Sequence, residues 1–331
     1  MGATPVVALL GAGGIARPHL EGWTSMGAEV RIHSVAGAAE LAATSTAARA
    51  VTSMAEALDG ADVVDICTPT LTHPQMVRAA VGGGLDVFCE KPLARTAAEA
   101  AVLVAEAEAA GVRMLPGHVV RWFPAYEQLH RAVAAGEVGD LAVLRFSRTG
   151  SRPERAWFHD VAQSGGIVLD QMIHDLDQAL WLAGDVIEVS GQQSASGADG
   201  VLSAQVLLVH ASGALSHVTG TWGPPGTTFR TTFEVAGTHG FLQHDSTAHP
   251  ELVVDARAVG GSTGLLPPVL GTSPYQRILE DFWAWTQGGP APRLTAHDGV
   301  AAVALAEAAL EAVTTGRMVR VSRAASAEVA T

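Results

Sequence analysis

The chain contains 331 residues, of which 48% are hydrophobic and 16% are charged. This length suits about two domains at roughly 100–200 residues each, and this composition excludes wholesale disorder. The formal net charge of −13 argues against nucleic acid and against anionic membrane surfaces as partners, because both are recognised by positive protein surfaces.

The first 120 residues alternate between short apolar runs and helical patterns. The run PVVALL at 5–10 leads directly into glycines, which is typical of a buried parallel strand. Further strands are predicted at 30–35, 62–69, 86–92 and 112–118. Helices are predicted at 14–26, 37–49, 53–58, 74–82 and 96–110. Strands that alternate with helices form parallel sheets with right-handed crossovers, so residues 1–120 are predicted to form a doubly wound α/β domain.

The pattern changes after residue 120. A helix at 124–135 leads into LAVLRFSRTG, and the apolar stretch at 165–184 is predicted to be helical. Longer strand-like runs separated by Gly-rich turns follow: AQVLLVHA, ALSHVTGTW, TTFEVAGTHGFLQHD and ELVVDA. They indicate a second domain over 121–321 with an open, mostly antiparallel sheet. Within it, 259–274 is predicted to be a loop before helices at 274–287 and 295–315, and 322–331 is predicted to be a flexible tail.

The start of the chain and its cysteines point to a compartment. The segment MGATPVVALLGAGG has no basic region or cleavage site of a secretion signal, and its apolar run is too short to span a bilayer. Cys67 and Cys89 lie in apolar predicted strands, which is typical of buried thiols in a reducing compartment. We therefore expect a soluble, cytoplasmic protein.

The motif GAGGIA at 11–16 follows the first strand and opens a helix. In such a motif Gly11 permits a tight turn, Gly13 lets the backbone approach a pyrophosphate, and Ala16 allows close packing of helix on strand. The intervening Gly14 and Ile15 would contribute backbone N–H groups at the helix N-terminus, which favours a diphosphate. The motif predicts dinucleotide binding; the alternative is a Gly-rich turn without a ligand.

The end of the second strand bears on the choice of cofactor. NAD-binding sites carry an acid there that holds the ribose hydroxyls. The sequence VRIHSVAGAAE has no acid at the strand end, and Glu40 falls on the following helix. Ser34 could donate to a 2′-phosphate, but no arginine follows the strand. The cofactor is therefore predicted to be NADP or NAD, with NADP slightly favoured.

The stretch GGIVLDQMIHDLDQALWLAG carries Asp170 and His174 four residues apart, hence on one face of a helix. The pair is either a functional site or a surface pair. Asp175 and Asp177 lack comparable support and are expected to have solvated or structural roles.

Three stretches taken together match one family. CTPTLTH at 67–73 follows one strand, FCEKP at 88–92 follows the next, and Asp170 and His174 come after a Gly-Gly pair. With GHVVRWFPAYEQLHRAVAAGEVGDL and FEVAGTHGFL, the chain resembles the Gfo/Idh/MocA family from residue 5 to about 320. The resemblance implies a Rossmann domain, a second α/β domain whose open sheet supports a homodimer or homotetramer, and NAD(P)-dependent oxidation of sugars, cyclitols or related alcohols.

The resemblance also assigns residues. It implies that Lys91, Asp170 and His174 are catalytic and also contact the substrate, and that the bond before Pro92 is cis. Cofactor contacts are implied for the carboxyl ends of two strands, at Thr68, Pro69, His73, Glu90, Lys91 and Pro92. His73 has an alternative role at the start of a helix.

Further side chains lie near segments that line the substrate pocket in this family. Arg121 and Trp157 are the substrate-binding candidates, and Trp122 and Phe158 lie beside them; each has core packing as its alternative, and Tyr275 is a weaker candidate. No metal site is expected, because the histidines at 210, 217, 239, 244 and 249 show no tight ligand spacing.

Oxidation of a secondary alcohol needs a positioned proton carrier, and the hydride step belongs to the cofactor. His174 titrates near neutral pH, Asp170 could orient the hydroxyl or the imidazole, and Lys91 could hold the developing alkoxide. The sequence leaves open whether Lys91 or His174 takes the proton. Two other functions are considered: an NAD-dependent glycoside hydrolase with transient oxidation, and a non-catalytic dinucleotide sensor.

Overall fold

The structure is a computed structural model that describes residues 4–197, 200–248, 252–256 and 272–321, with 252–256 described as backbone only. The predicted tail at 322–331 and most of the predicted loop at 259–274 lie outside the described residues. No helix within the described ranges combines the length and the apolar character needed to cross a bilayer. The described residues form two compact units, the first comprising 4–123 and 272–300 and the second the remainder.

The first unit is built on a six-stranded sheet in which every pairing is parallel. Its strands are β1 (Val6–Leu10), β2 (Glu29–His33), β3 (Ala48–Ala50), β4 (Val63–Ile66), β5 (Asp86–Cys89) and β6 (Met114–Pro116). Their order, β3-β2-β1-β4-β5-β6, reverses direction between β1 and β4. In doubly wound sheets such a switch point is where ligands bind, outside the carboxyl ends of the strands. The predicted doubly wound domain is confirmed.

Helices cover both faces of this sheet, which explains the apolar strands. The connecting helices are α1 (Ala16–Ser25), α2 (Ala38–Ala42), α3 (Met54–Leu58), α4 (His73–Gly82) and α5 (Ala97–Ala109). Alternate residues of β1 enter two separate cores, Val7 and Leu9 on one face and Ala8 and Leu10 on the other. A strand that is buried on both sides has no polar face, as the run PVVALL predicts.

The helix predicted over 37–49 is shorter than expected. It ends at Ala42, and the chain continues through a turn into the edge strand β3. In this turn the Thr44 hydroxyl donates to the carbonyl of Leu41, and the Ser45 hydroxyl accepts from the N–H of Ala47. Short hydroxyl side chains compete with helical hydrogen bonds in this way, which outweighs the helix propensity of the surrounding alanines.

The second unit contains an eight-stranded mixed sheet, antiparallel except for one parallel pairing. Its strands are β7 (Leu141–Ser151), β8 (Val186–Ala195), β9 (Leu202–His210), β10 (Leu215–Gly223), β11 (Arg230–Gly237), β12 (Gly240–Asp245), β13 (Leu252–Ala256) and β14 (Val319–Arg320). They are ordered β13-β12-β11-β7-β10-β9-β8-β14, with β7 and β10 parallel. The predicted open, mostly antiparallel sheet is confirmed.

The second unit also contains the helices α6 (Pro124–Ala134), α7 (Ala156–His159), α8 (Val161–Ser164) and α9 (Ile173–Ala183), of which α9 packs against β7 and β10. Two helices come later in the chain: α10 (Pro274–Thr286) lies in the first unit, and α11 (Ala296–Thr315) begins there and continues in the second. The stretch predicted as one regular helix at 165–184 is interrupted, because Val168–Met172 forms a π-helical turn before α9. π-Helical turns of this kind occur frequently at functional sites.

Helix α10 differs from the sequence-based division of the chain. The sequence pattern assigned it to the second domain, whereas in the structure Ile278, Leu279 and Phe282 are fully buried in a core of the first unit. A side chain at Gly22 of α1 would come within 2.9 Å of Leu279, so the two helices pack closely there. Helix α10 belongs to the first unit because its apolar face completes the core over α1, although the two helices are about 250 residues apart in the sequence.

Candidate functional site

The GAGGIA turn lies at the switch point of the parallel sheet. Gly11 has a φ of +108°, and a Cβ atom there would lie 2.6 Å from the carbonyl oxygen of Cys67 at the end of β4. Its N–H donates to the carbonyl of His33 at the end of β2, at 2.8 Å. This glycine therefore joins the ends of three neighbouring strands, where no other residue fits.

The N-terminus of α1 is arranged to receive an anion. No side chain caps it, and its first turn contains no acidic residue. Gly14 is exposed, and nothing lies within 4 Å of the position that a Cβ atom would occupy there. Backbone N–H groups at such a terminus favour a diphosphate, so the predicted dinucleotide-binding residues fit their group.

The end of β2 shows what would face the adenosine ribose. Strand β2 ends at His33, Ser34 is partly exposed, and Val35 is fully exposed. The segment 33–37 reads HSVAG and so supplies neither a carboxylate for ribose hydroxyls nor a guanidinium for a 2′-phosphate.

Two segments at the carboxyl ends of β4 and β5 carry the other predicted cofactor contacts. Thr68 is partly exposed and Pro69 is exposed after β4, whereas Lys91 is partly buried after β5. The peptide bond between Lys91 and Pro92 is cis, as predicted. Lys91 is also the only lysine in the chain, among 20 lysines and arginines in total.

His73 connects these two segments. It is buried at the start of α4, and its ring nitrogens lie 2.9 Å from the carbonyl oxygens of Pro92 (Nδ1) and Thr68 (Nε2). Burial lowers the pKa of His73, although these hydrogen bonds oppose the shift. His73 thus lies at the start of a helix, as its alternative role expects, and its ring also joins the two segments.

A buried polar network lies beneath the Lys91–Pro92 turn. The His19 Nδ1 atom lies 2.9 and 3.0 Å from the two carboxylate oxygens of Asp65, and the Nε2 atom lies 3.2 Å from Oε1 of Glu90. The other oxygen of Glu90 accepts the backbone N–H of Lys91 at 3.1 Å. The Trp23 indole N–H donates to Asp65 at 2.7 Å. His19, Asp65 and Glu90 are all at most 6% exposed.

Cys67 also belongs to this network, which is relevant to whether the cluster holds a metal ion. Its sulfur lies 3.3 Å from Nδ1 of His19 and 3.5 Å from Asp65, and burial raises the pKa of the thiol. Asp65, His19 and Cys67 have ligand atoms close enough to hold a metal ion. Each already has a hydrogen-bond partner in the network, so we interpret the cluster as a hydrogen-bonded network rather than a metal centre.

Sequence reasoning missed His19, Trp23 and Asp65. A signal was present, because His19 and Trp23 are four residues apart in α1 and so share one face of that helix. Asp65 interrupts the otherwise apolar β4, VVDI, whose four residues are all buried. A carboxylate on a fully buried strand requires donors, and the donors lie on the preceding α1.

In the second unit, Asp170 and His174 are the accessible residues of a buried segment. Every residue from Ser164 to Ala179 is buried except these two, which are both partly exposed. Asp170 lies in the π-helical turn and His174 in the first turn of α9. The sequence-based alternatives were a functional site and a surface pair. An ordinary surface helix would expose a wide stripe, whereas this segment exposes two ionisable side chains.

The neighbouring acids, expected to be solvated or structural, are both buried. Asp175 is fully buried and forms a bidentate ion pair with Arg148 of β7, at 2.7 and 3.1 Å. Tyr126 lies near this pair, and burial raises the pKa of its phenol to about 12. Asp177 is also buried, at 1% exposure.

The remaining substrate-binding candidates fall into two groups. Arg121 is 2% exposed, lies 3.6 Å from Asp298 and donates to the carbonyl of Arg293, all within the first unit. Trp122 is fully buried and donates to Asp281. Both side chains are buried, as the core-packing alternative expects, and Tyr275 packs against the hydrophobic core that contains Trp122.

Trp157 and Phe158 remain accessible. They are both partly exposed in α7, and their rings are stacked at 3.8 Å. A paired aromatic surface of this kind suits the C–H face of a sugar-like ring.

Comparison with known proteins agrees with this geometry. The family model described as "Oxidoreductase family, NAD-binding Rossmann fold" matches residues 6–118, and that described as "GFO/IDH/MocA C-terminal domain" matches residues 126–243. The chain is 28% identical to inositol 2-dehydrogenase of Rhizobium meliloti (strain 1021), over 95% of this chain and 98% of that protein. It is 32% identical to the rhizopine catabolism protein MocA of Rhizobium meliloti, over 76% of this chain and 75% of that protein.

A solved structure shares the fold over most of the chain. GenD2 from gentamicin A biosynthesis, in complex with NAD, has a TM-score of 0.83 at 24% identity and covers 97% of both chains. With a switch-point glycine turn, an uncapped helix N-terminus and models for both domains matched in order, the chain belongs to the GFO/IDH/MocA family of NAD-binding oxidoreductases.

Proposed function

We propose that this protein transfers a hydride between a nicotinamide cofactor and a secondary alcohol or ketone of a sugar, cyclitol or related polyhydroxylated ring. The observation that carries the proposal is the exposure of Asp170 and His174 alone from the buried segment Ser164–Ala179. The named activity of the inositol 2-dehydrogenase relative supports a cyclitol-like substrate.

In this proposal the bound cofactor would supply the hydride acceptor, and the protein handles the proton. Asp170 orients the substrate hydroxyl or the imidazole, and His174 and Lys91 are the two proton carriers to be distinguished. Lysine suits this role, since it can exchange a proton at a perturbed site, whereas arginine stays protonated. That the only lysine of the chain stands directly after β5 supports Lys91 as a reacting group.

The catalytic assignment is tested with a panel of sugars and cyclitols monitored at 340 nm. Lys91→Met, Asp170→Asn and His174→Ala are each expected to lose about two orders of magnitude in rate, the usual scale for a positioned acid–base group. His297→Ala serves as the matched control, because His297 is an exposed histidine whose partner, Glu108, has no proposed role in the site or the interface.

The pH dependence identifies the proton carrier. If His174 is the carrier, its removal abolishes one limb of the pH profile of kcat that the wild type shows. If Lys91 is the carrier, Lys91→Arg keeps the charge but remains inactive. Near-normal rates in all three active-site variants would refute the proposal, and turnover without net NADH production would indicate the glycoside-hydrolase alternative.

We further propose NADP(H) as the slightly preferred cofactor, because HSVAG at 33–37 has no carboxylate to repel a 2′-phosphate and Ser34 can donate to one. Separate titrations of NADH and NADPH test this, and a clear preference for NADH would refute it. Val35→Asp, which restores an acid at this exposed position, is expected to move the preference towards NAD.

For assembly, we propose a homodimer or homotetramer formed through the open face of the eight-stranded sheet. On this face the exposed Leu215 pairs with the partly exposed Val143 and Val209 on the two neighbouring strands. Light scattering of Leu215→Glu is expected to show a smaller species, whereas Ser212→Glu at the adjacent exposed turn is expected to leave the size unchanged.

A further inference from the structure

The buried network beneath the Lys91–Pro92 turn forms a continuous connection from the core to Lys91. Asp65 contacts Nδ1 of His19, Nε2 of His19 contacts one oxygen of Glu90, and the other oxygen of Glu90 accepts the N–H of Lys91. Every contact in this series is at most 3.2 Å long. The series therefore connects a residue of α1 to the backbone of the only lysine in the chain.

The partners of His19 determine its charge. A carboxylate faces each ring nitrogen, and a neutral imidazole has an N–H on only one of them. Only the imidazolium directs an N–H towards both Asp65 and Glu90. Burial lowers the pKa of His19, but the charge of Asp65 and the hydrogen bonds around the ring raise it further, so that the net pKa is well above its usual value. Among the described residues, two other titratable groups face the ring besides these acids. One is Cys67, and the other is Tyr275, whose ring centroid lies 6.1 Å from that of His19.

The space around Glu90 is also shaped to hold its carboxylate in one place. A Cβ atom at Gly117 would lie 2.6 Å from Oε1 of Glu90, the oxygen that lies 3.2 Å from Nε2 of His19. The N–H of Gly117 is bonded to the carbonyl of Cys89, so the backbone there is fixed against β5. The carboxylate thus occupies a slot bounded by His19 on one side and by the bare Cα of Gly117 on the other.

We propose that His19 is a positioning residue which, as an imidazolium, fixes the Glu90 carboxylate and through it places Lys91 for the reaction. The functional part of this inference rests on the proposed role of Lys91 in catalysis. The part that concerns the surroundings of Lys91 does not depend on turnover. His19 does not touch the substrate in this proposal; it acts through Glu90.

Two near-isosteric variants separate the two sides of the ring. His19→Gln places an amide nitrogen near the Nε2 position and so keeps a donor to Glu90, whereas His19→Asn places one near Nδ1 and keeps a donor to Asp65. Trp23→Phe is the matched control, because it removes a donor to Asp65 without touching Glu90. A purely structural role would favour His19→Asn, which serves the more deeply buried acid.

The first measurement exploits the single lysine. Lys91 and the chain N-terminus are the only primary amines, so the acetylation rate of Lys91 at fixed pH can be followed by peptide mass spectrometry without any substrate. We expect His19→Asn to change this rate several-fold, and His19→Gln and Trp23→Phe to stay close to the wild-type rate. Equal rates in all folded variants would overturn the proposal.

The second measurement is steady-state kinetics of the same variants with the cofactor at saturation. We expect kcat to fall about tenfold or more in His19→Asn, the scale that follows from a misplaced reacting group. His19→Gln is expected to recover most of this loss, with the cofactor dissociation constant little changed in both. A fall in kcat that is as large in Trp23→Phe as in His19→Asn would also overturn the proposal.

The two readouts distinguish failure of this inference from failure of the proposed function. If Lys91→Met is fully active, the catalytic proposal fails, but the acetylation rates still report whether His19 positions Lys91. If acetylation is insensitive to His19 while Lys91→Met is inactive, the positioning inference fails and the catalytic role of Lys91 stands.

Discussion

The ion pair between Arg148 and Asp175 is predicted to stabilise the second unit without taking part in catalysis. The pair is bidentate, and its side chains are only 7% and 1% exposed. Replacing Asp175 by leucine leaves the Arg148 guanidinium buried without its carboxylate. Breaking a buried pair from one side costs about 3–5 kcal/mol, since the remaining charge is neither solvated nor paired.

Removing both charges should have a much smaller effect. In the double variant Arg148→Met/Asp175→Leu, two apolar side chains of similar size fill the same space and no buried charge remains. Such replacements of buried pairs are often neutral or stabilising. The coupling energy between the two positions is therefore expected to be about 3 kcal/mol or more, larger than the values usually found for neighbouring residues.

Urea unfolding followed by circular dichroism measures this cycle. With a slope of about 3 kcal/mol per molar urea, the single Asp175→Leu variant should unfold at a midpoint lower by about 1–1.7 M, whereas the double variant should unfold near the wild type. The activity per folded molecule of the double variant should change only a few-fold, in contrast to Asp170→Asn and His174→Ala. A wild-type midpoint in the single variant, or a double variant less stable than either single one, would refute the reasoning.

Three further predictions concern the first unit and helix α9. Gly11→Ala is expected to abolish cofactor binding and to lower the free energy of unfolding by about 2–4 kcal/mol, because at a positive φ its Cβ atom would meet the Cys67 carbonyl. Cofactor titration and thermal unfolding measure the two effects. Gly14→Ala, which has open space around it, should fold normally and serves as the comparison. Gln178→Met should raise the urea midpoint slightly, since both amide atoms of Gln178 are buried without a hydrogen-bond partner among the described residues, and a lower midpoint would mean that the amide is used. Because the pKa of His19 is raised in the folded protein, its imidazolium stabilises the fold fully below about pH 6.5, and this contribution is lost as the pH rises through the folded-state pKa. The difference in unfolding free energy between wild type and His19→Gln should therefore shrink at alkaline pH. Parallel plots of unfolding free energy against pH for the two proteins would contradict this.

Features that depend on local sequence were predictable. Strands β1, β4, β5 and β6 are short, largely apolar runs followed by a turn, and they were predictable because they are almost wholly buried. Helices α3 and α5 begin where a hydroxyl side chain stands three residues before a glutamate: Ser53 accepts from the N–H of Glu56, and Thr96 from that of Glu99. The cis bond before Pro92 was predictable only from the family resemblance.

Features that depend on distant partners were not. The sequence GQQS within β8 carries too few apolar residues to predict a strand. It is a strand because its backbone pairs with β9. The role of Asp175 depends on Arg148, 27 residues earlier. The alternation in β7 held a usable clue, since Leu144 and Phe146 are buried and Arg148 continues the same face. An arginine on the core face of a strand requires a buried acid, and Asp175 supplies it.

The ionisable groups discussed above differ in solvent exposure according to their roles, and those with structural roles are buried. His19, Asp65 and Glu90 are buried and joined to one another, and Arg148 and Asp175 are buried as a pair. Burial requires such compensation, because an isolated charge in the interior is too costly to retain.

The groups proposed to act on the substrate differ in this respect. Lys91, Asp170 and His174 are all partly exposed, and two of them adjoin a buried, compensated group: Lys91 follows Glu90, and His174 precedes Asp175. A proton carrier must exchange protons with its surroundings, so it has to remain accessible while its backbone is held rigid. The buried residues around His19 supply that rigidity for Lys91, so removing His19 should alter the chemistry of Lys91. Replacing the Arg148–Asp175 pair by two apolar side chains of similar size keeps the same space filled, so the chemistry of His174 should stay largely intact.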